Sequence, residues 1–235
     1  MAAEAAGRGG AGLISVITRP QHIAAILARR PECMVLGVEE GDSISHGLQQ
    51  ADVLVVGPGI GQSAWGLSLL QQALATDLPL VLDADGLNLL AARRQEPAAR
   101  RGNWVLTPHP GEAARLLSST TEALGRDRFA AISALQQHYH GAVVLKGAGS
   151  LIAGDEGALW VCHSGNPGMA SGGMGDVLSG VIGGLLAQGL TLEQAAAAGV
   201  QVHAAAGDRA TEQSGQRGLL ATDLMPYIRR LVNLR

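Results

Sequence analysis

Aromatic side chains make up only 3% of this 235-residue chain: three Trp, two Tyr and one Phe. Lysine is rarer still, because of the 17 basic residues only Lys146 is a lysine and the rest are arginine. With so few rings a core must be built from Ala, Val, Leu and Ile, and a platform for stacking bases is disfavoured. An excess of one charge is also lacking. The net charge of -3 leaves no basic footprint for nucleic acid, and the pairs Arg93–Arg94 and Arg100–Arg101 read as solvated helix ends. The two cysteines, Cys33 and Cys162, lie far apart and outside any metal-ligand spacing, as expected for reduced thiols of a cytosolic protein. No apolar run is long enough to span a membrane, since Gly, Gln and charged residues interrupt every candidate. The opening MAAEAAGRGG has neither the basic-then-apolar form of a signal peptide nor the Arg/Ser-rich form of a transit peptide. These absences predict a cytoplasmic protein with no nucleic-acid or membrane partner.

What is abundant is glycine, with 33 residues. It follows no three-residue period, which excludes collagen, and a 47% hydrophobic, 16% charged composition excludes disorder. The length suits one domain spanning residues 1–235. Short β-like runs alternate with helical ones. Strands are expected at 13–18, 34–38, 52–56, 80–82, 104–106 and 142–145, and a hairpin at 151–153 and 158–162 around Gly154, Asp155, Glu156 and Gly157. Helices are expected near 20–30, 63–75, 87–94, from the 107–112 turn to Leu117, and at 121–138. The 121–138 helix would carry Phe129, Ile132 and Leu135 on one stripe. The last third reads as helices over 175–188, 192–212 and 222–234, with Thr191 and Gln194 in the form of a capping box. The alternation predicts a mostly parallel α/β sheet covered on both faces, with ligands beyond the carboxyl ends of its strands.

The glycine clusters follow those strands. Asn166–Asp176 (NPGMASGGMGD) joins a glycine-rich loop to an apolar helix. Gly172, Gly173 and Gly175 leave bare N–H groups to converge on an anion at a helix N-terminus. Asp176, in the first turn, suits either the helix dipole or a general base aimed at a hydroxyl, and the preceding glycines favour the base. The loop is not a Walker A motif, since no lysine follows it, and Gly57–Gly61 (GPGIG) lacks the dinucleotide spacing. That second loop reads equally as a strand-to-helix turn or a ligand-facing one. Lys146–Ser150 (KGAGS) follows a β run, so the lone lysine could meet phosphate as a point charge, with Gly147, Ala148, Gly149 and Ser150 offering backbone donors and a hydroxyl. In Thr107–Glu112 (TPHPGE), Pro110 fits the first position of a helix and Glu112 an early-turn acid. His109, between two prolines, suits hydrogen bonding to a ligand. His138 and His140 read as surface residues. Asp83 and Asp85 end a strand, with Asn88 beyond; they could hold Mg2+ through water or cap the next helix.

In this order, GPGIG, DADGLN, TPHPGE, KGAGS and NPGMASGGMGD resemble the ADP-dependent NAD(P)H-hydrate dehydratase family, across almost the whole chain. The resemblance implies a ribokinase-like, three-layer α/β/α fold and a hydro-lyase that repairs (S)-NADHX and (S)-NADPHX at the expense of ADP, with Mg2+. It implies that Asp176 is the catalytic base and that Lys146, Gly147, Ala148, Gly149, Ser150 and Gly175 line the nucleotide site. Gly61, His109 and Asp176 would contact the hydrated nicotinamide nucleotide. Asp83, Asp85, Asn88, Glu112, Asn166, Gly172 and Gly173 would stand behind them, with no side chain assigned as a direct metal ligand. It also implies a homo-oligomer, with a tetramer as one form. The family has a further strand and glycine-rich loop ahead of the helix with which this chain opens, so an unpaired sheet edge or gap is expected there. An N-terminal epimerase domain, often fused in the family, is not expected here. Two other readings use the same motifs: a kinase of a vitamin-precursor alcohol, and a nucleotide-binding protein without turnover.

Overall fold

The computed structural model describes residues 1–93, 101–155 and 157–233. Arg94, Arg100, Glu156 and Leu234, placed by sequence at helix ends and in a hairpin turn, lie outside them. The chain opens with helix α1 (Ala2–Gly9), followed by β1 (Ser15–Thr18), α2 (Ile23–Arg29), β2 (Met34–Gly37) and the short α3 (Ser45–Leu48). Three β-α units follow: β3 (Leu54–Val56) with α4 (Ala64–Leu74), β4 (Leu80–Leu82) with α5 (Ala84–Ala91), and β5 (Trp104–Leu106) with α6 (Pro110–Leu116), α7 (Thr121–Arg126) and α8 (Arg128–Tyr139), ahead of β6 (Ala142–Leu145). The hairpin β7 (Ser150–Ala153) and β8 (Leu159–Cys162) leads to α9 (Met174–Leu186), α10 (Leu192–Ser214) and α11 (Met225–Leu231).

The main sheet has six strands in the order β3-β4-β5-β6-β7-β8, the first four parallel and the last two antiparallel. Side-chain alternation along these strands decides the layers. Val81, Val105, Val144 and Ile152 join one cluster with Ala5 of α1, Val177 and Val181 of α9, Val200 of α10 and Ile228 of α11. Leu80, Leu82, Trp104, Leu106, Val143 and Leu145 join the other with Leu70 of α4, Leu87 of α5, Leu116 of α6 and Ile132 and Leu135 of α8. A sheet with both faces buried needs strands apolar throughout, which is why LVL, WVL and AVVL read as continuous runs. Each fully buried Leu, Val or Ile contributes about 1.5–3 kcal/mol. The backbones approach closely where α1 crosses α9: a Cβ on Gly180 would stand 2.2 Å from the Ala2 carbonyl oxygen, so only glycine permits that approach.

The strands β1 and β2 pair in parallel with each other, in a separate sheet. The outer edge of β3 therefore has no strand partner among the described residues. Five expectations need correction. The helix expected over 121–138 is two helices, because the Asp127 side chain accepts the Ala130 N–H at 2.9 Å and starts a new one. Phe129, in the first turn of α8, is therefore 53% exposed instead of sharing the buried stripe of Ile132 and Leu135. The helix expected from Leu87 starts at Ala84, whose φ of 48° marks a tight strand-to-helix turn. The final helix opens as a 3-10 turn, Ala221–Leu224. His138 is not a free surface ring; it stacks edge-on against Tyr139 at 4.6 Å, whereas His140 is exposed. No helix among the described residues is long and apolar enough to cross a membrane.

Candidate active site

The carboxyl ends of β4, β5 and β6 and the first turn of α9 enclose a cleft of about 450 Å3. Asp83 and Ala84 enter from β4, His109, Pro110 and Glu112 from β5, Lys146 and Gly147 from β6, and Met169, Ala170, Gly175 and Asp176 from the glycine-rich segment. A parallel sheet brings these ends together because every strand points the same way. The Lys146 N–H donates to the Pro108 carbonyl at 2.9 Å, tying the KGAGS and TPHPGE loops side by side. A second cleft of about 330 Å3, between the end of α10 and the start of α11, is lined by Arg217, Thr222 and Tyr227 and lies apart from these strand ends.

Asp83 stands at the N-cap position of α5, yet its side chain makes no cap hydrogen bond. It turns inward instead, accepting from Lys146 Nζ at 2.7 Å and from the Ser179 hydroxyl at 2.5 Å, and it is 1% exposed. Burial pushes its carboxyl up, but the Lys146 charge and the bonds from Lys146, Ser179 and the Ala84 backbone outweigh this. The group is held below the ordinary aspartate range. A Cβ on Gly175 would stand 3.1 Å from Lys146 Nζ and 3.3 Å from Asp83 Oδ2, so the bare backbone there lets the pair approach the helix.

His109 is the N-cap of α6. Its Nδ1 accepts the N–H groups of Gly111 at 3.0 Å and Glu112 at 3.3 Å, and Glu112 Oε2 accepts the His109 N–H at 2.7 Å, a reciprocal capping box. A ring nitrogen that accepts cannot carry the proton, so in the neutral imidazole the proton sits on Nε2, which stands 3.4 Å from Glu112 Oε1. Burial, then the nearby Lys146 charge, lower the His109 pKa and favour this neutral form. Glu112 is 4% exposed, and burial raises its pKa against the opposing pull of Lys146.

Asp176 is half-buried in the first turn of α9 and faces the cleft. Burial, then the Asp83 charge, raise its pKa above the ordinary aspartate value. A carboxylate so placed can accept a proton from a hydroxyl, and the N–H groups at the start of α9 can receive an anion beside it. The loop before α9 is braced from α10: the Asp208 carboxylate accepts the Gly165 N–H at 2.8 Å and Asn166 Nδ2 at 2.9 Å, while Asn166 Oδ1 accepts the Gly168 N–H at 3.0 Å.

The cleft thus brings together Asp176, Lys146, Gly147, Gly175, His109, Asp83 and Glu112. Other residues singled out in the sequence stand outside its wall. Asp85 holds the GPGIG turn by accepting the Gly61 N–H at 3.0 Å. Asn88 Oδ1 accepts from Arg115 at 2.8 Å and links α5 to α6. Neither acid of the DADGLN segment caps α5 through its side chain. Ala148, Gly149 and Ser150 continue the lysine loop, with the Ser150 hydroxyl donating to the Gly147 carbonyl at 3.2 Å. Gly172 and Gly173 precede the first turn of α9. Sequence reasoning missed Ser179, Asp208 and Arg128, whose guanidinium donates to the Ala148 carbonyl at 2.8 Å beneath the lysine loop. Ser179 left a signal, a hydroxyl three residues after Asp176 inside an otherwise apolar helix. No group of three or more His, Cys, Asp or Glu among the described residues could cage a metal ion.

A family model described as NAD(P)H-hydrate dehydratase matches residues 1–230. The chain is 56% identical over 233 residues to the bifunctional NAD(P)H-hydrate repair enzyme Nnr of Coxiella burnetii, covering 99% of this chain and 47% of that protein. It therefore spans about half the length of such relatives. It is 42% identical over 214 residues to the ADP-dependent (S)-NAD(P)H-hydrate dehydratase of Neisseria meningitidis, covering 89% of this chain and 71% of that one. Among solved structures, a ribokinase-like superfamily protein from Enterococcus faecalis superposes with a TM-score of 0.88 at 31% identity, covering 98% of this chain and 80% of that one. An ADP/ATP-dependent NAD(P)H-hydrate dehydratase from Bacillus subtilis, co-crystallised with ATP and Mg2+, superposes at 0.80 with 26% identity, covering 98% and 83%.

Proposed function

Because the chain belongs to the NAD(P)H-hydrate dehydratase family, we propose that it returns (S)-NADHX and (S)-NADPHX to NADH and NADPH, converting ADP to AMP and phosphate. The observation that carries this reading is the single cleft in which a half-buried carboxylate, Asp176, stands beside the only lysine, Lys146, at a glycine-lined helix N-terminus.

Hydroxide is a poor leaving group, so losing water directly from the hydrated ring is slow. Transfer of the ADP β-phosphoryl group to the ring hydroxyl makes phosphate the leaving group instead. Asp176 accepts the hydroxyl proton as that bond forms. The ring nitrogen's lone pair then expels phosphate to leave an iminium, and loss of the proton from the adjacent ring carbon to water restores the double bond. The N–H groups entering α9 and the Lys146 ammonium stabilise charge on the phosphoryl oxygens. Lys146 through Ser150 hold the diphosphate side, while His109, with Nε2–H exposed, and Gly61 meet the nicotinamide side. Mg2+ would neutralise phosphate charge, held by phosphate oxygens and water, in a cleft whose acids are Asp83, Glu112 and Asp176. The protein would work as a homo-oligomer in the cytoplasm, as one repair domain over residues 1–235.

The test is recovery of the NADH absorbance band from (S)-NADHX with ADP. Asp176→Asn is expected to keep ADP affinity by calorimetry while losing about a hundredfold or more in kcat. Phosphorylation of a small alcohol from ATP, with no recovery of NADH from any nucleotide, would overturn the reading in favour of a kinase. Binding of ADP without either reaction would leave a nucleotide-binding protein.

A further inference from the structure

We propose that Asp83 and Ser179 are positioning residues: Ser179 grips the Asp83 carboxylate, and Asp83 holds the Lys146 ammonium at the cleft wall, against the same helix turn that carries Asp176. The network stands on geometry alone. Only the assignment of Lys146 to phosphate and of Asp176 to the proton rests on the dehydratase reading.

Asp83 occupies a helix N-cap position, where an aspartate ordinarily bonds backbone N–H groups of the first turn. Here it makes no cap bond to the second or third N–H of the helix, and only the adjacent Ala84 N–H reaches it. A carboxylate 1% exposed is costly unless paired and hydrogen-bonded, and its oxygens are committed to Lys146 and Ser179. Ser179 is fully buried, and its hydroxyl lies within reach of both the Gly175 carbonyl, at 2.9 Å, and Asp83. The bond to Gly175 is the back-bond common to serine inside helices; the contact with Asp83 is not a helix contact at all. Ser179 lies three residues beyond Asp176 on α9, so the two side chains share a face of that helix. Lysine carries a flexible four-carbon stem with much rotamer freedom to lose. A buried acid at 2.7 Å and the bare Gly175 backbone confine it before any ligand arrives.

The charged groups around Lys146 are Asp83 from β4 and, at 3.9 Å, Glu112 from α6. Those acting on Asp176 are Asp83, Lys146 and the amino group of Met1 ahead of α1. Asp83 therefore reaches both partners of the phosphoryl transfer. Its negative charge raises the Asp176 pKa, so removing that charge moves Asp176 downward.

A chain with one lysine allows a direct test. Protein labelled with 13C,15N-lysine gives a single side-chain ammonium signal, that of Lys146. In the wild type this signal is expected to show slowly exchanging Nζ protons. In Asp83→Asn it should take the shift and rapid exchange of a solvated lysine, and Ser179→Ala should move it in the same direction. The KM for ADP should rise about tenfold in Asp83→Asn, and the acid limb of its kcat profile should move to lower pH, which a merely structural defect would not do. Ser179→Ala follows KM in part, and Ser179→Thr restores it. Ser179→Ala carries the test if Asp83→Asn does not fold, since alanine suits a helix interior. A lysine signal and ADP KM unchanged from wild type in folded variants would overturn the proposal. Wild-type protein inactive on (S)-NADHX, but with the lysine signal responding as described, would overturn the dehydratase reading and leave the network standing.

Discussion

His109 serves two ends with one ring. Its Nδ1 is occupied by the backbone of α6, and Nε2–H, 3.4 Å from Glu112 Oε1 on a half-exposed ring, is the donor within a ligand's reach. Such a histidine is a hydrogen-bond donor and not a base. His109→Asn keeps a side-chain acceptor for the cap, but its shorter amide carries no donor out to the place of Nε2–H. It is expected to raise the KM for (S)-NADHX by about threefold to tenfold with little change in melting temperature. His109→Ala removes the cap as well and should cost about 1 kcal/mol of stability. Equal melting losses for both variants would contradict this division of the ring's duties. The residue scale was partly legible in advance: TPHPGE announces a stiff turn, and Pro110 and Glu112 occupy the helix positions their chemistry suits. Which ring nitrogen faces the ligand depended on the backbone around it.

At the scale of elements, α10 supports the glycine-rich segment from behind. Asp208 holds Gly165 and Asn166, and the His203 ring lies against the Met174 backbone at the start of α9. Burial lowers the His203 pKa from 6.5 to about 4, while the Met174 carbonyl pulls the other way. The folded protein thus resists a proton that the unfolded chain accepts. Stability present above pH 6.5 is lost as the pH falls toward 4, and the loss between pH 7 and pH 5 is about 2 kcal/mol. The depressed pKa of Asp83 acts in the same direction at more acid pH, whereas the raised values of Asp176 and Glu112 oppose it. Urea midpoints at the two pH values should converge in His203→Gln relative to wild type; an unchanged difference would remove His203 from the role. Periodicity did not forecast this support, because α10 reads as an ordinary apolar-striped helix. The break at Asp127 was hidden similarly: Arg126 through Phe129 fit a continuous helix until the Asp127 side chain competes for the Ala130 N–H.

For the whole molecule, three layers make one cleft from segments far apart in the chain. Asp83, His109, Lys146 and Asp176 reach it from different elements, so a ligand there links the carboxyl ends of β4, β5 and β6 to α9. ADP at about a hundred times its dissociation constant should add roughly 2.7 kcal/mol to the stability of the fold. A thermal melt should show this gain in wild type and in Asp176→Asn, and a smaller one in Lys146→Met. An equal gain in the lysine variant would take Lys146 out of the nucleotide site.

The order of short apolar strands, helices and glycine loops was determined by the sequence alone. Apolar runs buried on both faces and turn residues at strand ends are local patterns that survive in any tertiary setting. The same local chemistry placed Asp176 at the mouth of a helix and singled out Lys146 as the odd cation. The partners of those residues were decided only by the tertiary structure. Asp83 looked like a cap or a metal ligand from its neighbours in sequence, and it became a buried anion because Lys146, 63 positions away, and Ser179, 96 away, meet it there. Asp85, with the same local signature, faces the GPGIG turn instead. A carboxylate's role follows from the donors and the dielectric around it, and those are supplied by contacts between strand ends that no run of adjacent residues encodes.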